Sequence, residues 1–341
     1  MTLRLTLLAA LSIVALSPAA PAWDRGRAVE FADLPHPLRN PEGIAVDLLR
    51  GEFYVSDFDY RGTSATGRIA VFDRSGRLLR ILKLNSSSAL LGLAFHPKTH
   101  ELLVIDFGAH QVLRVDPHSG ASAVFVAAAN FGANPGLNAL TFDKAGNVYI
   151  SDSFQGIIWR TGAAGGAAVA WVTSSLLLPN GVPPFGANGL AFNSAGVLFV
   201  ANTANDTVVQ IPGASVAPGT PTVFVNSING ADGLAIDNHD NLWVIANQAD
   251  EIVVVDPSGK GIAKLGDFDG IAPDGSPRGF LFPASLVFYG DSVYVTNLAL
   301  DLRDFNPEFK AVDSQWAAQV TTWNVARISR RLHREQNDGE D

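Results

Sequence analysis

The sequence has 341 residues, of which 47% are hydrophobic and 17% are charged, and its formal net charge is −9. This acidic balance argues against binding to nucleic acid or to an anionic membrane surface, because both partners attract a basic patch. The absence of cysteine excludes disulfides and thiolate metal sites. Length alone would suggest two domains, but β-rich folds often run past about 200 residues as a single domain.

The first 22 residues have the pattern of a secretory signal peptide. Arg4 supplies a positive charge, residues 5–16 form an apolar run, and residues 20–22 (Ala-Pro-Ala) give the small-x-small pattern that signal peptidase reads. The apolar run is too short to span a bilayer, which needs about 20 residues. We therefore expect residues 1–22 to be removed and the mature protein to be secreted, into the periplasm, without further membrane contact.

After a brief alternating run at residues 28–32, the chain enters a pattern of four short β runs. In the first unit these runs cover residues 43–46, 52–56, 68–72 and 78–84, and Gly, Asp and Asn lie between them. Four short strands separated by turn residues are typical of one blade of a β-propeller.

The same unit occurs six times along the chain. A small residue opens the first strand of each unit, at intervals of 44 to 52 residues: Gly43, Gly92, Ala139, Gly189, Gly233 and Ser285. Repeats of this length indicate a solenoid, a propeller or an array. The later predicted strands cover residues 92–95, 102–105, 112–115 and 121–126; 139–142, 148–150, 157–160 and 168–172; 190–192, 198–200, 208–211 and 222–225; 234–236, 242–245, 252–255 and 261–265; and 286–288, 293–295 and 322–328.

The sequence therefore predicts an all-β, six-bladed β-propeller of four-stranded blades. It forms one domain over residues 23–329, and a charged tail covers residues 330–341. The sixth unit lacks a fourth strand, so we expect residues 28–32 to complete it, which closes the ring and removes an exposed sheet edge. Insertions at residues 267–283 and 298–320 should share one face of the propeller, and loops of this length are usually functional or disordered.

The position just before each small residue carries the main chemical signal. In chain order it holds Glu42, Leu91, Asn138, Asn188, Asp232 and Ala284. Equivalent positions in a ring of blades point at the same axis, so the four oxygen-bearing side chains should converge in the central channel. Carboxylates this close repel one another unless a cation lies between them. Two carboxylates and two amide carbonyls suit a hard cation such as calcium, although the alternative is that these residues only cap turns at the strand entries.

These segments resemble the gluconolactonase and senescence-marker-protein family, and more broadly the calcium-dependent six-bladed propellers that include paraoxonase and diisopropyl fluorophosphatase. The matching segments are NPEGIAVD around Glu42, GLNALTFDKAGNVYISD around Asn138, GANGLAFNSAGVLFVAN around Asn188 and GADGLAIDNHDNLWV around Asp232. The resemblance covers residues 30–328. It implies that the four side chains hold one divalent metal, with Ca²⁺ expected and Zn²⁺, Mn²⁺ or Fe²⁺ as alternatives, and that this metal polarises a lactone or ester.

The sequence departs from the members of this group that use a histidine. Paraoxonase-like members place a catalytic histidine at the position of Leu91, and diisopropyl fluorophosphatase-like members have one in blade six, where Ala284 stands. Gluconolactonase-like members lack that histidine, which implies that a ligand carboxylate does its work. We therefore expect a hydrolase that opens a small-molecule lactone, with sugar lactones among the candidates. Asp232 would be its general base and a cation-activated water its nucleophile.

Two other functions are considered. The first is a non-enzymatic propeller that binds a peptide or glycan on its loop face, because NHL-repeat propellers share the strand pattern. NHL-repeat propellers are metal-free, and in this alternative a metal in the channel would be only structural.

The second is a strictosidine-synthase-like condensing enzyme, which would need a channel glutamate in a late blade. Ala284 and Ser285 offer none at the entry to blade six.

The loops of the candidate face supply further residues that could contact a substrate. They are His110, Arg61, Phe154, Arg303 and Trp316. The alternative is that these side chains only pack within the loops or, for His110, face solvent. A second recurring set closes the second strand of every unit: Asp57, Asp106, Asp152, Asn202, Asn247 and Asn297. Because this set recurs in all six units, it indicates a shared role in capping the backbone rather than a second ring of ligands.

Overall fold

The computed structural model describes residues 24–309 and 313–332. Within them the chain forms six four-stranded antiparallel sheets, which confirms the predicted six-bladed propeller. The predicted signal peptide and most of the charged tail lie outside the described residues. Across the described ranges, no helix has the length and apolar character needed to cross a bilayer.

The first three blades contain twelve strands in chain order. They are β2 (Pro41–Asp47), β3 (Glu52–Asp57), β4 (Arg68–Phe72) and β5 (Leu78–Lys83) in blade one; β6 (Leu90–Phe95), β7 (Leu102–Asp106), β8 (Gln111–Val115) and β9 (Ser122–Val126) in blade two; and β10 (Leu137–Phe142), β11 (Val148–Asp152), β12 (Ile157–Thr161) and β13 (Val169–Thr173) in blade three.

The last three blades continue the order and add a small hairpin. The strands are β14 (Ala187–Phe192), β15 (Leu198–Asn202), β16 (Thr207–Ile211) and β17 (Thr222–Val225) in blade four; β18 (Ala231–Ile236), β19 (Leu242–Ala246), β20 (Glu251–Val255) and β21 (Gly261–Leu265) in blade five; β22 (Phe268–Ile271) and β23 (Pro277–Gly279) in the hairpin; and β24 (Pro283–Tyr289), β25 (Ser292–Asn297), β26 (Asn324–Ser329) and the N-terminal β1 (Val29–Asp33) in blade six. One short helix, α1 (Ser314–Ala317), and 3₁₀ turns at Ala128–Asn130, Ser175–Leu177, Asn247–Ala249 and Leu302–Asp304 lie in the connections.

The hydrophobic core lies between adjacent blades. Between blades one and two, for example, Tyr54, Ile69 and Leu82 pack with Leu90 and Leu102. The second strand of each blade is covered on both faces, and all five residues of β7 are buried. This burial explains why the second strands read as short, nearly continuous apolar runs in the sequence.

The ring closes as the sequence predicts. β1 pairs antiparallel with β26, with Val29 opposite Arg327 and Asp33 opposite Asn324, and so becomes the outermost strand of blade six. The pairing covers the edge of β26, which would otherwise offer unpaired backbone groups to another chain.

The small residues of the first strands lie where neighbouring blades meet at the axis. A Cβ atom on Gly43 would lie 2.5 Å from the carbonyl oxygen of Leu91, and one on Gly189 would lie 2.5 Å from the carbonyl oxygen of Asp232. Such separations are far inside van der Waals contact, so the close approach of the first strands requires a residue without a bulky side chain at these positions.

The two insertions lie together on one face, as expected. The first forms the β22–β23 hairpin, so it is more ordered than the plain loop suggested by the sequence. The second contains the 3₁₀ turn at Leu302–Asp304 and α1. Phe268 of the hairpin lies 5.5 Å from Trp316 of α1, measured between ring centroids, and the Thr321 N–H donates to the carbonyl oxygen of Gly275 at 3.1 Å.

Candidate metal centre and channel cavity

A β-bulge sets the direction of each side chain in the channel. In all six first strands the pairing with the second strand shifts register across two residues. The second of these is the small residue of the repeat, and the first is the residue before it, which we call the channel residue of the blade. The irregularities lie between Pro41 and Ile44, Leu90 and Leu93, Leu137 and Leu140, Ala187 and Leu190, Ala231 and Leu234, and Pro283 and Leu286. Bulges bend a strand and redirect its side chains, often beside functional sites.

Five of the six channel residues line one cavity. Glu42, Asn138, Asn188 and Asp232 form its polar part and Leu91 adds an apolar wall, while Ala284 does not reach it. Each of the four polar side chains is at most 5% exposed. The cavity and its solvent-open mouth enclose about 420 Å³. The structure thus brings together the four oxygen-bearing residues that the repeat pattern selects.

Three of these side chains present oxygen atoms that have no hydrogen-bond partner. They are Glu42 Oε2, Asn138 Oδ1 and Asp232 Oδ1, and all three atoms are buried. Buried polar atoms are nearly always paired, since leaving one unpaired costs about 1–3 kcal/mol. Unpaired oxygens that share one cavity are therefore the arrangement expected of a ligand site.

Neighbouring side chains hold the other ends of these groups. Asn188 Nδ2 donates to Thr203 Oγ1 at 3.0 Å, and Thr203 Oγ1 donates to the carbonyl oxygen of Ala231 at 2.8 Å. Asn247 Nδ2 donates to Asp232 Oδ2 at 2.9 Å. These bonds leave Asp232 Oδ1 as the carboxylate oxygen that is open to the cavity.

The two channel carboxyls disfavour each other's charge. Burial raises the pKa of Glu42 well above its usual range, and the negative charge of Asp232 raises it further. Burial also raises the pKa of Asp232, to about 7, against the hydrogen bond from Asn247 that favours the ionised form. Without a counter-charge, at least one carboxyl of the pair keeps its proton near neutral pH.

The donor set fits a hard divalent cation. Oxygen ligands from carboxylates, amide carbonyls and water are those that calcium takes in proteins. In the part of the chain that the structure describes, no group of three or more His, Cys, Asp or Glu side chains could hold a metal. A cation in this channel would therefore depend on the amide oxygens of Asn138 and Asn188 as well as on the two carboxylates.

The residues predicted to contact substrate do not line this cavity. Arg61 pairs with Asp304, and Arg303 pairs with Asp301 at 2.7 Å. Trp316, which is 38% exposed, packs on the β22–β23 hairpin. These contacts place the three side chains in the structure of the loop face, and their contact with substrate stays a prediction.

Phe154 and His110 lie nearer the mouth of the cavity. Both contact Phe107, at 6.0 Å and 6.5 Å between ring centroids. The His110 Nδ1 atom is buried without a partner. Neither residue lines the cavity itself, and a role for either in binding substrate also stays a prediction.

The residues that close the second strands divide into two groups. Five of them bind backbone groups, as expected. The Arg39 N–H donates to Asp57, the Ser87 N–H to Asp106, the Gly136 N–H to Asp152 and the Leu281 N–H to Asn297, while Asn202 donates to the carbonyl oxygen of Leu176.

Asn247 is the exception in this set. Its side chain lines the cavity and binds Asp232, and its Oδ1 atom is buried without a partner. Thr203 also lines the cavity. The repeat pattern does not predict either residue as part of the site. Asn247 occupies the same repeat position as five capping residues, so position alone could not distinguish it.

Comparison with known proteins supports the resemblance seen in the sequence. The family model described as the SMP-30/gluconolactonase/LRE-like region matches residues 108–266, which confirms the expected similarity over that part of the chain. No curated protein sequence matches the chain significantly.

Several solved structures share the fold over most of their length. A calcium-binding protein, regucalcin, from Agrobacterium tumefaciens is 16% identical, with a TM-score of 0.59 over 89% of this chain and 92% of that one. A gluconolactonase from Xanthomonas campestris is 17% identical, with a TM-score of 0.59 over 83% of this chain and 96% of that one. Virginiamycin B lyase from Staphylococcus aureus is 14% identical, with a TM-score of 0.54 over 77% and 94%. At these identities the likeness establishes the propeller fold.

Proposed function

We propose that the protein is a metal-dependent hydrolase that opens a lactone or a related ester in the propeller channel. The observation that carries this proposal is the set of buried, unpartnered oxygens of Glu42, Asn138 and Asp232 at one cavity. The match to the gluconolactonase-containing family supports the reaction class. The gluconolactonase and regucalcin structures, which share the fold, support a small-molecule substrate and a divalent cation.

Glu42, Asn138, Asn188 and Asp232 would hold the cation, with water at the remaining positions. Calcium is the proposed ion, because every protein ligand in the set offers a hard oxygen. When bound, the cation would supply Lewis-acid polarisation of the carbonyl group of the substrate and lower the pKa of water in the channel. It would also offset the repulsion that raises the pKa values of Glu42 and Asp232.

Asp232 is the proposed general base. Its Oδ2 atom is held by Asn247, so Oδ1 is the atom that would both contact the cation through one lone pair and accept a proton from an adjacent water through the other. The water oxygen then bonds to the carbonyl carbon, and the acyl C–O bond breaks. The proton held on Asp232 passes to the leaving alkoxide, so that the product is a hydroxy acid and nothing is oxidised or reduced. Since no histidine lines the cavity among the described residues, a carboxylate is the side chain best suited to move this proton.

The test is the substitution Asp232→Asn, which keeps the shape and one oxygen of the side chain but removes the base. We expect the folded variant to lose hydrolysis of lactones by at least about 10²-fold, and the loss to persist when the cation is added to saturation. Asp256→Asn is the matched control, since Asp256 lies in an exposed turn of the same blade. Full hydrolysis by the Asp232→Asn variant would contradict the proposal.

A further inference from the structure

Six aromatic side chains form a closed ring at the outer end of the cavity. Consecutive ring centroids lie 5.9 Å apart for Phe58 and Phe107, 6.0 Å for Phe107 and Phe154, 5.6 Å for Phe154 and Phe185, 6.5 Å for Phe185 and Phe305, 4.8 Å for Phe305 and Tyr60, and 5.5 Å for Tyr60 and Phe58. We call these six residues the aromatic collar. They come from the loops after β3, β7 and β11, the loop before β14 and the blade-six insertion, so the collar draws on blades one, two, three and six and on the connection between blades three and four.

The collar and the oxygen donors belong to the same cavity. Phe58 and Phe185 line it together with the four channel residues. Phe154 and Phe305 face outward and are 40% and 42% exposed, whereas the channel oxygens are buried. Phe58 and Phe185 therefore place the aromatic collar beside the channel oxygens, on the side of the cavity where Phe154 and Phe305 face solvent.

Most of the cavity wall is apolar and is formed by Leu91, Pro183, Phe282, Leu298, Leu300 and Leu302. The polar exceptions, Thr203 and Asn247, lie beside the channel oxygens and bind Asn188 and Asp232. Within the described residues, Glu42 and Asp232 are the charged side chains that line this cavity. Arg61, the cation nearest to the collar by sequence, is paired with Asp304 beside Tyr60.

These walls discriminate between classes of lactone. A polyhydroxylated sugar lactone would place several hydroxyls against leucine and phenylalanine side chains, where they would lose their hydrogen bonds to water without replacement. An alkyl or aromatic substituent would instead remove apolar surface from water on both sides of the contact, which favours binding by about fourfold for each buried methylene. Cavities of this kind, mostly apolar with a few convergent polar groups, orient a ligand by the polar groups and bind it by the apolar walls.

We propose that the substrate is a neutral lactone or ester with an apolar substituent, rather than a sugar lactone. Its carbonyl end meets the oxygens of the channel, and its alkyl or aromatic substituent packs against the leucines and the aromatic collar. This inference rests on the proposed hydrolase function for its catalytic readout, but the binding preference that it assigns to the cavity can be measured without turnover.

The first experiment is hydrolysis of γ-lactones whose side chain grows from methyl to octyl, with D-gluconolactone as the polar comparison. We expect kcat/KM to rise by up to about fourfold per methylene over the first few carbons, and D-gluconolactone to be the poorest substrate. A flat series, or preferred hydrolysis of D-gluconolactone, would overturn the inference while leaving the hydrolase proposal intact.

The second experiment separates binding from chemistry. N-alkyl lactams with the same range of chain lengths resemble the lactones but resist hydrolysis, and their affinity can be measured by calorimetry. Affinity that rises with chain length, without hydrolysis of any lactone, would support the apolar site and overturn the hydrolase proposal. If no lactam binds, or if the affinity is the same at every alkyl chain length, the proposal of an apolar site would be overturned.

A variant in the aromatic collar tests where the alkyl substituent of the substrate binds. Phe185→Ala should reduce kcat/KM about tenfold for the octyl lactone and little for the methyl lactone, because only the longer chain reaches the collar. Phe224→Ala is the matched control, since Phe224 is also half-buried but packs on Phe199 in the outer part of blade four. An equal loss of kcat/KM for both lactones in the Phe185→Ala variant would contradict the proposed position of the alkyl substituent of the substrate.

Discussion

Glu42 and Asp232 are expected to make the channel sensitive to pH and, through the proposed cation, to metal. Both carboxyls have a pKa raised by burial, and for Asp232 it reaches about 7. A carboxyl whose pKa is raised on folding binds more protons in the native than in the unfolded state between its two pKa values. The stability that it contributes is therefore fully present below the unfolded pKa of about 4 and is lost as the pH rises through about 7.

A bound cation reverses this dependence, because it favours the ionised carboxylates. We expect the metal-free protein to lose stability between about pH 4 and pH 7, and calcium to raise the melting temperature more at about pH 8 than at about pH 5. At a calcium concentration about 100 times the dissociation constant, the gain in the free energy of unfolding would be about 2.7 kcal/mol. Thermal unfolding with and without a chelator measures both effects.

The double variant Glu42→Gln/Asp232→Asn is the control for this prediction. Other raised carboxyl pKa values, such as that of Asp33 at about 6, also contribute to the pH dependence, so the comparison must be made as a difference from the double variant. A calcium effect of equal size at both pH values would count against cation binding by these two carboxylates.

The blade-six insertion is tied to the loops around the channel. Asp304 accepts hydrogen bonds from Tyr60 and Arg61 of the loop after β3. Asn40 Nδ2 donates to the carbonyl oxygen of Leu298 at 2.9 Å. Leu298, Leu300 and Leu302 then form part of the cavity wall, so these polar contacts position the apolar surface proposed to contact the substrate.

A second contact joins the insertion to blade five. Asp250, in the turn after β19, and Asp313, just before α1, are both buried. Burial raises the pKa of both, and the negative charge of Asp313 helps to bring that of Asp250 to about 8. Near neutral pH this pair therefore retains a proton, and the neutral carboxyl can donate a hydrogen bond to its partner.

Removing the contact at Asp304 should loosen the insertion without unfolding the propeller. Exposed ion pairs contribute about 0.2–1 kcal/mol, so Asp304→Asn should make amide hydrogen exchange in residues 298–309 up to about fivefold faster while other segments stay unchanged. Hydrogen exchange read out by mass spectrometry checks this expectation.

Asp291→Asn is the matched control for that measurement, since Asp291 forms an exposed pair with Arg331 away from the channel. Unchanged exchange in residues 298–309 of the Asp304→Asn variant would mean that the contacts of Asp304 do not help to hold the insertion in place.

At the scale of the whole molecule, the propeller depends on closure by its N-terminal strand. Ala32 of β1 packs in one cluster with Phe53 of blade one and with Tyr294 and Val325 of blade six. The interface between the last and first blades therefore has the same apolar character as the others. Closure keeps the six first strands at one axis, and this shared axis brings side chains that are far apart in the sequence into one cavity.

The sequence predicted the parts of the molecule that repeat. Each blade must bury the same strands and open its first strand with a small residue, so Gly43 and its equivalents mark the axis and Glu42, Asn138, Asn188 and Asp232 follow from their position beside them. The repeat pattern thus carried both the fold and the four channel oxygens.

The parts that the sequence did not predict are those without a period. Part of the aromatic collar follows the repeat, since Phe58, Phe107 and Phe154 stand one or two residues after the recurring aspartates of their blades, and Phe154 is among the predicted contact residues. Phe185 and Phe305 come from irregular loops, and no regular spacing connects them to the other collar residues. Asn247 matches five capping residues in sequence position, but its contact with Asp232 depends on the local backbone of one loop. Such contacts arise from tertiary packing, which a repeat pattern does not specify.

The metal content of protein purified without added metal or chelator tests most directly whether the channel oxygens bind a cation. Elemental analysis of the wild-type protein should find about one divalent ion per chain, and the Glu42→Gln/Asp232→Asn double variant should have lost it while keeping the β-rich circular dichroism spectrum of the wild type. A wild-type protein without bound metal, or a double variant that retains as much metal as the wild type, would contradict the assignment of the channel oxygens as a cation site.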